Sequence, residues 1–421
     1  MKVFDFLFLL LITALVPIKA QDCYSTKVYD KRIKTLQVRV VGEMFSEPVI
    51  VLGGKKLIEV NFDALASGVG RYGYRLYHCD ANWRKSNLAT SEFMEGFQDC
   101  SVEDFANSLG STTHYTNYRI VFPNEDTRPK VSGNYLVEIY KESNPSKVAC
   151  TACFSIVEPM VEIEAAVNTN VEADTNKIFQ QLNFTVQHPD FPIENPRSDL
   201  KIWVYQNDRH DNAVTDLQPM NISDESISYE NNERLIFNAG NEFRRMEFLN
   251  EKDKGMRVKD ISFIKPYYHV ELMTDRSQKG FDYQYDHDHD GRRIIRCSNC
   301  DDIDTEGDYF LVHFSLSMDS LPKGKVYLSG QLYNNVLNEK NEMTYNSVRK
   351  WYEKSVLLKQ GSYNYQYLFV PEGSEVGQTK DIEGDHSRTE NNYRIYVYYH
   401  PDGARYDRLI GMKSFNNVHS R

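Results

Sequence analysis

Few residues of this chain have the types and spacing that chemistry requires. Asp286-His-Asp288-His-Asp290-Gly291 opens like a calcium loop, with carboxylates at alternate positions and a glycine for the sharp turn. A complete loop ends in a bidentate glutamate six places after that glycine, and Cys297 stands there instead. Asp301, Asp302 and Asp304 offer oxygens for a looser site, and His287 and His289 suit a transition metal. The same Asp and Gly residues make an ordinary hairpin turn with left-handed backbone, and this is the reading adopted. No metal site and no cofactor is expected.

The seven cysteines are Cys23, Cys79, Cys100, Cys150, Cys153, Cys297 and Cys300, an odd number that leaves one thiol unpaired or pairing elsewhere. Two Cys-x-x-Cys pairs suggest zinc, but zinc knuckles bring their pairs within a few tens of residues. Cys150 and Cys153 also lie in Lys147-Val-Ala-Cys-Thr-Ala-Cys-Phe-Ser-Ile-Val157, a strand pattern. Residues three apart on a strand face opposite sides, so they neither chelate one ion nor bond each other. Chance spacing or a local Cys297–Cys300 bridge explains the cysteines better.

Gly68-Val-Gly70-Arg-Tyr-Gly73 has the letters of a dinucleotide fingerprint. That motif needs a helix after its glycines to hold the pyrophosphate, and a strand, Tyr74-Arg-Leu-Tyr-His-Cys79, follows. There is no nucleophile elbow, zincin helix or phosphate loop. No enzyme activity and no small-molecule substrate is expected. The densest hydrogen-bonding clusters are Gln206-Asn-Asp-Arg-His-Asp-Asn212 and Asn238-Ala-Gly-Asn-Glu-Phe-Arg-Arg245. Asn207, Arg209, Asp211, Asn212, Asn241, Glu242 and Arg244 are candidates for binding a partner. A self-satisfied loop network holding two sheets together accounts for them equally well.

The elements that position these residues are strands. Thr35-Leu-Gln-Val-Arg-Val-Val41, Asn134-Tyr-Leu-Val-Glu-Ile-Tyr140, Val161-Glu-Ile-Glu-Ala-Ala-Val167 and Tyr363-Asn-Tyr-Gln-Tyr-Leu-Phe-Val370 all alternate, with turn signals between such runs. No long helical periodicity appears. The fold class is all-β, tandem immunoglobulin-like or early-set β-sandwiches after a cleaved signal peptide. The expected divisions are a signal peptide at 1–20, sandwiches at 21–159 and 160–317, and an early-set-like sandwich at 318–421. A membrane barrel is disfavoured because the strands are short and their alternate positions often carry Glu, Arg or Lys.

Residues 1–20 have a cationic start, an apolar run over 6–16 and a small residue at Ala20, the pattern of a secretory leader. The run is too short to span a bilayer, and no other segment is apolar and long enough. Removing the leader takes the formal charge from -11 to -12. With its basic residues scattered, the chain lacks the patch that nucleic acid requires.

Several motifs, in order, resemble one family. They are His78-Cys-Asp-Ala-Asn-Trp83, His114-Tyr-Thr-Asn-Tyr118, Phe122-Pro-Asn124 and Ser132-Gly-Asn-Tyr-Leu136 in the first third. Gln206-Asn207, Asp211-Asn-Ala213, Gly240-Asn-Glu-Phe-Arg244 and Leu358-Lys-Gln-Gly361 follow, then Tyr363-Asn-Tyr365, Thr389-Glu-Asn-Asn-Tyr393 and Tyr406-Asp-Arg-Leu-Ile-Gly411. This order resembles the type IX secretion system plug proteins of Bacteroidota. The resemblance implies a periplasmic protein that docks on the outer-membrane translocon barrel and seals its periplasmic opening when no substrate is in transit. Val326-Tyr-Leu-Ser-Gly330 with Gln-Leu-Tyr-Asn-Asn335 also resembles early-set modules that bind glucans, but these carry Trp where Asn335 stands. The alternatives are therefore a periplasmic glycan-binding protein or a secretion chaperone.

Overall fold

A computed structural model describes residues 23–65, 70–171 and 177–417. The proposed leader lies outside the described residues. The chain is all-β, and its few helices among the described residues are single turns such as Thr90–Phe93 and Ile303–Glu306. No helix there is long and apolar enough to cross a membrane.

The alternating runs become three sandwiches, each with its own core. In the first unit, one sheet contains Ile33–Val40, Ile58–Ala64, Thr116–Phe122 and Asp104–Asn107. The facing sheet is built on Tyr72–Cys79, Gly133–Lys141 and Asn144–Val157. Alternate residues from both, among them Val60, Phe62, Leu76, Val137 and Phe154, fill the space between.

The remaining strands do not follow the expected division at 317/318. Tyr309–Ser317, on one side of it, pairs residue for residue with Trp351–Lys359 on the other. Arg244–Phe248 pairs with Gly361–Pro371. The core that contains Met246, Val270, Phe314, Leu328 and Tyr365 therefore spans that boundary. Conversely, Asn392–Tyr399 and Arg408–Asn416 leave the C-terminal series and pair beside Leu200–Gln206. They close a second core with Ile163, Leu182, Phe184 and Ile202. The third sandwich is thus inserted in the second instead of following it in tandem. The reason is energetic: strands 200–206 and 392–399 each have an apolar face, and pairing them buries both against the sheet at 162–187. We refer to these as the first, middle and inserted units.

Cys150 belongs to the core of the first unit, while Cys153 packs on the opposite face with Cys79 and Leu136. Period-two geometry places residues three apart on opposite faces in this way. Cys297 and Cys300 are disulfide-bonded, and the other five cysteines are free.

Candidate functional site

The motifs of the resemblance converge on the junctions between units. Where the first and inserted units meet, Asp63 and Lys359 form an ion pair at 2.8 Å, each side chain 1% exposed. Tyr309 donates its hydroxyl to Asp63 at 2.6 Å, and Asn117 donates to the other carboxylate oxygen at 2.7 Å. The ammonium of Lys359 also lies 4.3 Å from the centre of the Tyr115 ring. Lys359 also donates to the Asp304 carbonyl at 2.9 Å, so both carboxylate oxygens and the ammonium are hydrogen-bonded, which a desolvated ion pair needs if it is not to be a net cost.

The first and middle units meet at a second network. The amide of Ala81 donates to Asp407 at 2.7 Å, and Lys201 pairs with the other oxygen of Asp407 at 2.7 Å. Tyr398 donates to Asn134 at 2.9 Å. His78 packs edge-on against Tyr406 and shares a 3.1 Å hydrogen bond with the Ser132 carbonyl, as donor through Nε2. Burial lowers the pKa of this imidazole to about 4, so it is neutral here.

The third network contains the seven candidate residues. Asn207, in left-handed backbone, donates to Asn391 at 2.6 Å and accepts from the Asn392 amide at 2.8 Å. Arg209 pairs with Asp211 and donates to the Gly377 carbonyl at 2.6 Å, while Asp211 accepts from the Gly377 amide at 2.8 Å. Asn212 donates to Gln206 at 3.1 Å. Asn241 donates to the Glu383 carbonyl at 3.0 Å, and Glu242 accepts from the Glu390 amide at 3.2 Å. Arg244 is held by Asp275 at 3.0 Å and Glu383 at 2.7 Å.

Both polar clusters thus close on one segment, 377–392. Asn207, Arg209, Glu242 and Arg244 are buried, whereas Asp211, Asn212 and Asn241 keep part of their surface. The arrangement is that of the internal network offered as one of the two readings above. Burial raises the pKa of Glu242 to about 7, with Glu390 and Asp290 adding repulsion against hydrogen bonds from Tyr283 and the Glu390 amide.

The Asp286–Asp290 stretch is tied into the same region. Asp288 accepts from the amides of Phe243 and Asp290, and Asp290 accepts from Asn416 at 3.0 Å. Asp290 and Gly291 both have positive φ, 51° and 80°, so the stretch turns through left-handed backbone as expected. It is not a hairpin, however: residues 277–292 hold no strand, and Arg293–Ile295 pairs with Gly361–Pro371 instead. Among the described residues no group of three or more His, Cys, Asp or Glu is arranged to hold a metal ion.

A cavity of about 150 Å³ lies where all three units meet. The first unit contributes Glu47 and Trp83, the middle unit Asp208 and Arg394, and the inserted unit Arg292 and Arg293. Glu47 joins all three, pairing with Arg292 at 2.8 Å and with Arg394. Asp208 also pairs with Arg394, and burial raises its pKa to about 6 despite the attraction of Arg292. His210 retains accessible surface although burial lowers its pKa, because that surface faces the cavity. Asn335, the position where glucan-binding modules carry Trp, also lines it.

Sequence reasoning missed Asp63, Lys359, Glu47, Arg293 and Arg394. The Glu47–Arg394 partners are 347 residues apart, so no local spacing joins them. Local pattern gave no signal either: Asp63 shares the polar phase of an alternating strand with Glu59 and Asn61, where water is the expected neighbour, and Lys359 is the last residue of its strand.

Residues 33–158 match the family model described as the type 9 secretion system plug protein 1st domain. A hypothetical protein from Parabacteroides merdae ATCC 43184, solved by crystallography at 2.30 Å, is 58% identical with a TM-score of 0.93. The match covers 94% of this chain and all of that one. Native alpha-2-macroglobulin from Escherichia coli, spanning domains NIE-MG1, overlaps 46% of this chain and 95% of that chain. It is 9% identical, with a TM-score of 0.15. No curated protein matches the sequence significantly.

Proposed function

We propose, from the premise that this chain belongs to the type IX secretion system plug protein family, that it works in the periplasm as a steric stopper without catalysis. Its involvement in type IX secretion follows from the family. The finer reading is that it docks on the outer-membrane translocon barrel and seals the periplasmic opening when no substrate is in transit.

One observation carries the mechanical part of this reading. Each of the three units is bonded to the other two through buried ion pairs or hydrogen bonds, so the molecule resists bending at its junctions. A stopper must keep its shape against a pore rim, and interlocking of this kind supplies the stiffness that a string of independent sandwiches lacks. Closure by bulk requires an interface that competes with cargo and no reacting group. For that interface we retain the part-exposed Asp211, Asn212 and Asn241. Asn207, Arg209, Glu242 and Arg244 would act behind them, holding their loops in place.

Affinity isolation of the tagged chain from native membranes tests the reading. We expect the translocon barrel to co-purify, and more of it when secretion is idle than when cargo occupies the pore. Failure to recover the barrel under both conditions would overturn it. Recovery of unfolded secretion substrates without the barrel would favour the chaperone alternative.

A further inference from the structure

The cavity at the three-unit junction carries more positive charge than its walls neutralise. Of the guanidinium groups lining it, Arg39 is taken by Glu59 at 2.7 Å. Arg292 and Arg394 share Glu47, and Arg394 also reaches Asp208. Arg293 has no carboxylate partner among the described residues. Its Nη2 donates to the Leu36 carbonyl, while its Nε is buried with no acceptor. The Nε of Arg394 is also buried with no acceptor. A guanidinium cannot shed its proton to escape burial, and a desolvated charge without a partner costs several kcal/mol.

We propose that this cavity is a binding site for a small oxyanion, a carboxylate or phosphate carried on a molecule no larger than a monosaccharide, with Arg293 as its charged anchor. The guanidinium fork matches both groups in geometry. The amide side chains of Gln331, Asn334 and Asn335 line the same space and supply neutral donors and acceptors for hydroxyls. Trp83 adds a flat apolar wall. The volume, about 150 Å³, is that of a cavity able to hold a benzene-sized group, so it takes the anionic group and the adjoining part of a sugar ring, with the rest of the ring at its mouth. None of Asp211, Asn212 and Asn241 lines the cavity, so anion binding and docking are tested by different residues.

The test uses the full mature chain in low-salt buffer free of phosphate. Glucuronate, glucose 6-phosphate and glucose are titrated separately, following tryptophan fluorescence and thermal unfolding. We expect a saturable change with one or both anions and none with glucose; which anion responds identifies carboxylate or phosphate as the ligand group. In R293Q the apparent affinity should fall at least tenfold, with circular dichroism confirming the fold. R293K, which keeps the charge without the planar fork, should lie between. W83F should lose most of the fluorescence change and keep the thermal shift. Absence of saturation by either anion, an equal response to glucose, or unchanged affinity in both Arg293 variants would overturn the proposal.

Discussion

Lys359 and Asp63 meet 2.8 Å apart, on strands of different units and out of contact with water. Among the described residues neither has a second ion-pair partner, so the pair acts as one buried rivet between the first and inserted units. Removing one member strands the other. K359M and D63N should each lower the free energy of unfolding by about 3–5 kcal/mol. The double variant D63L/K359M should recover much of the loss. Urea denaturation with a double-mutant cycle measures this; additive losses would show that the two do not act as a pair.

Gly133 tests the junction of the first and middle units. Its φ is +124°, and a Cβ there would stand 2.5 Å from Nε2 of His78 and 3.1 Å from the Asp407 carbonyl oxygen. G133A should cost about 2 kcal/mol or more from backbone strain and displacement of the imidazole. A midpoint in urea within error of the parent would contradict the tight fit.

Glu242 gives stability a specific dependence on pH. Its carboxyl has a pKa near 4.5 when unfolded and about 7 when folded, chiefly through burial. Between these values the folded state holds a proton that the unfolded chain has released. This contribution is therefore fully present below pH 4.5 and is lost as pH rises through 7, up to about 3 kcal/mol. His78 acts in the opposite sense, since its folded pKa of about 4 withdraws stability as pH falls. Subtracting the unfolding free energy of E242Q from that of the parent isolates Glu242. That difference should decline from pH 4.5 to 7.5, and a flat difference would show that the carboxyl titrates normally.

Thiol reactivity should sort by burial. Burial raises the pKa of Cys79 to about 12 and raises those of Cys150 and Cys153 as well, so none presents a thiolate. Cys23 is exposed and Cys100 partly so. An aromatic disulfide reagent should modify Cys23 and Cys100 in the native protein and all five free thiols only after unfolding. Rapid modification of Cys79 or Cys153 in the native state would mean that this face of the sheet opens readily.

Glu47 holds a loop of the first unit against both other units. E47Q should weaken its bonds to Arg292 and Arg394 and raise amide hydrogen exchange over residues 42–48 by at least tenfold, leaving the cores protected. Unchanged exchange would place the closure of the junction elsewhere.

The sequence by itself determined the fold class, because side chains in a strand alternate at period two whatever the strand pairs with. Tyr363-Asn-Tyr-Gln-Tyr-Leu-Phe-Val370 reads as a strand in isolation, and Gly361–Pro371 is one. The opposed faces of Cys150 and Cys153 followed from the same period. The order of motifs was also enough to point to the family. Local alternation does not encode which strand lies beside which, however. The return of Asn392–Tyr399 to Leu200–Gln206 therefore became visible only in the tertiary structure. The seven candidate residues were ambiguous for a related reason. A polar cluster looks the same in sequence whether water or protein satisfies it, and Arg244 is buried only because Asp275 and Glu383 come to meet it. Which charges are paired, and that Arg293 is left without a carboxylate among the described residues, depends on contacts hundreds of residues apart that only folding creates.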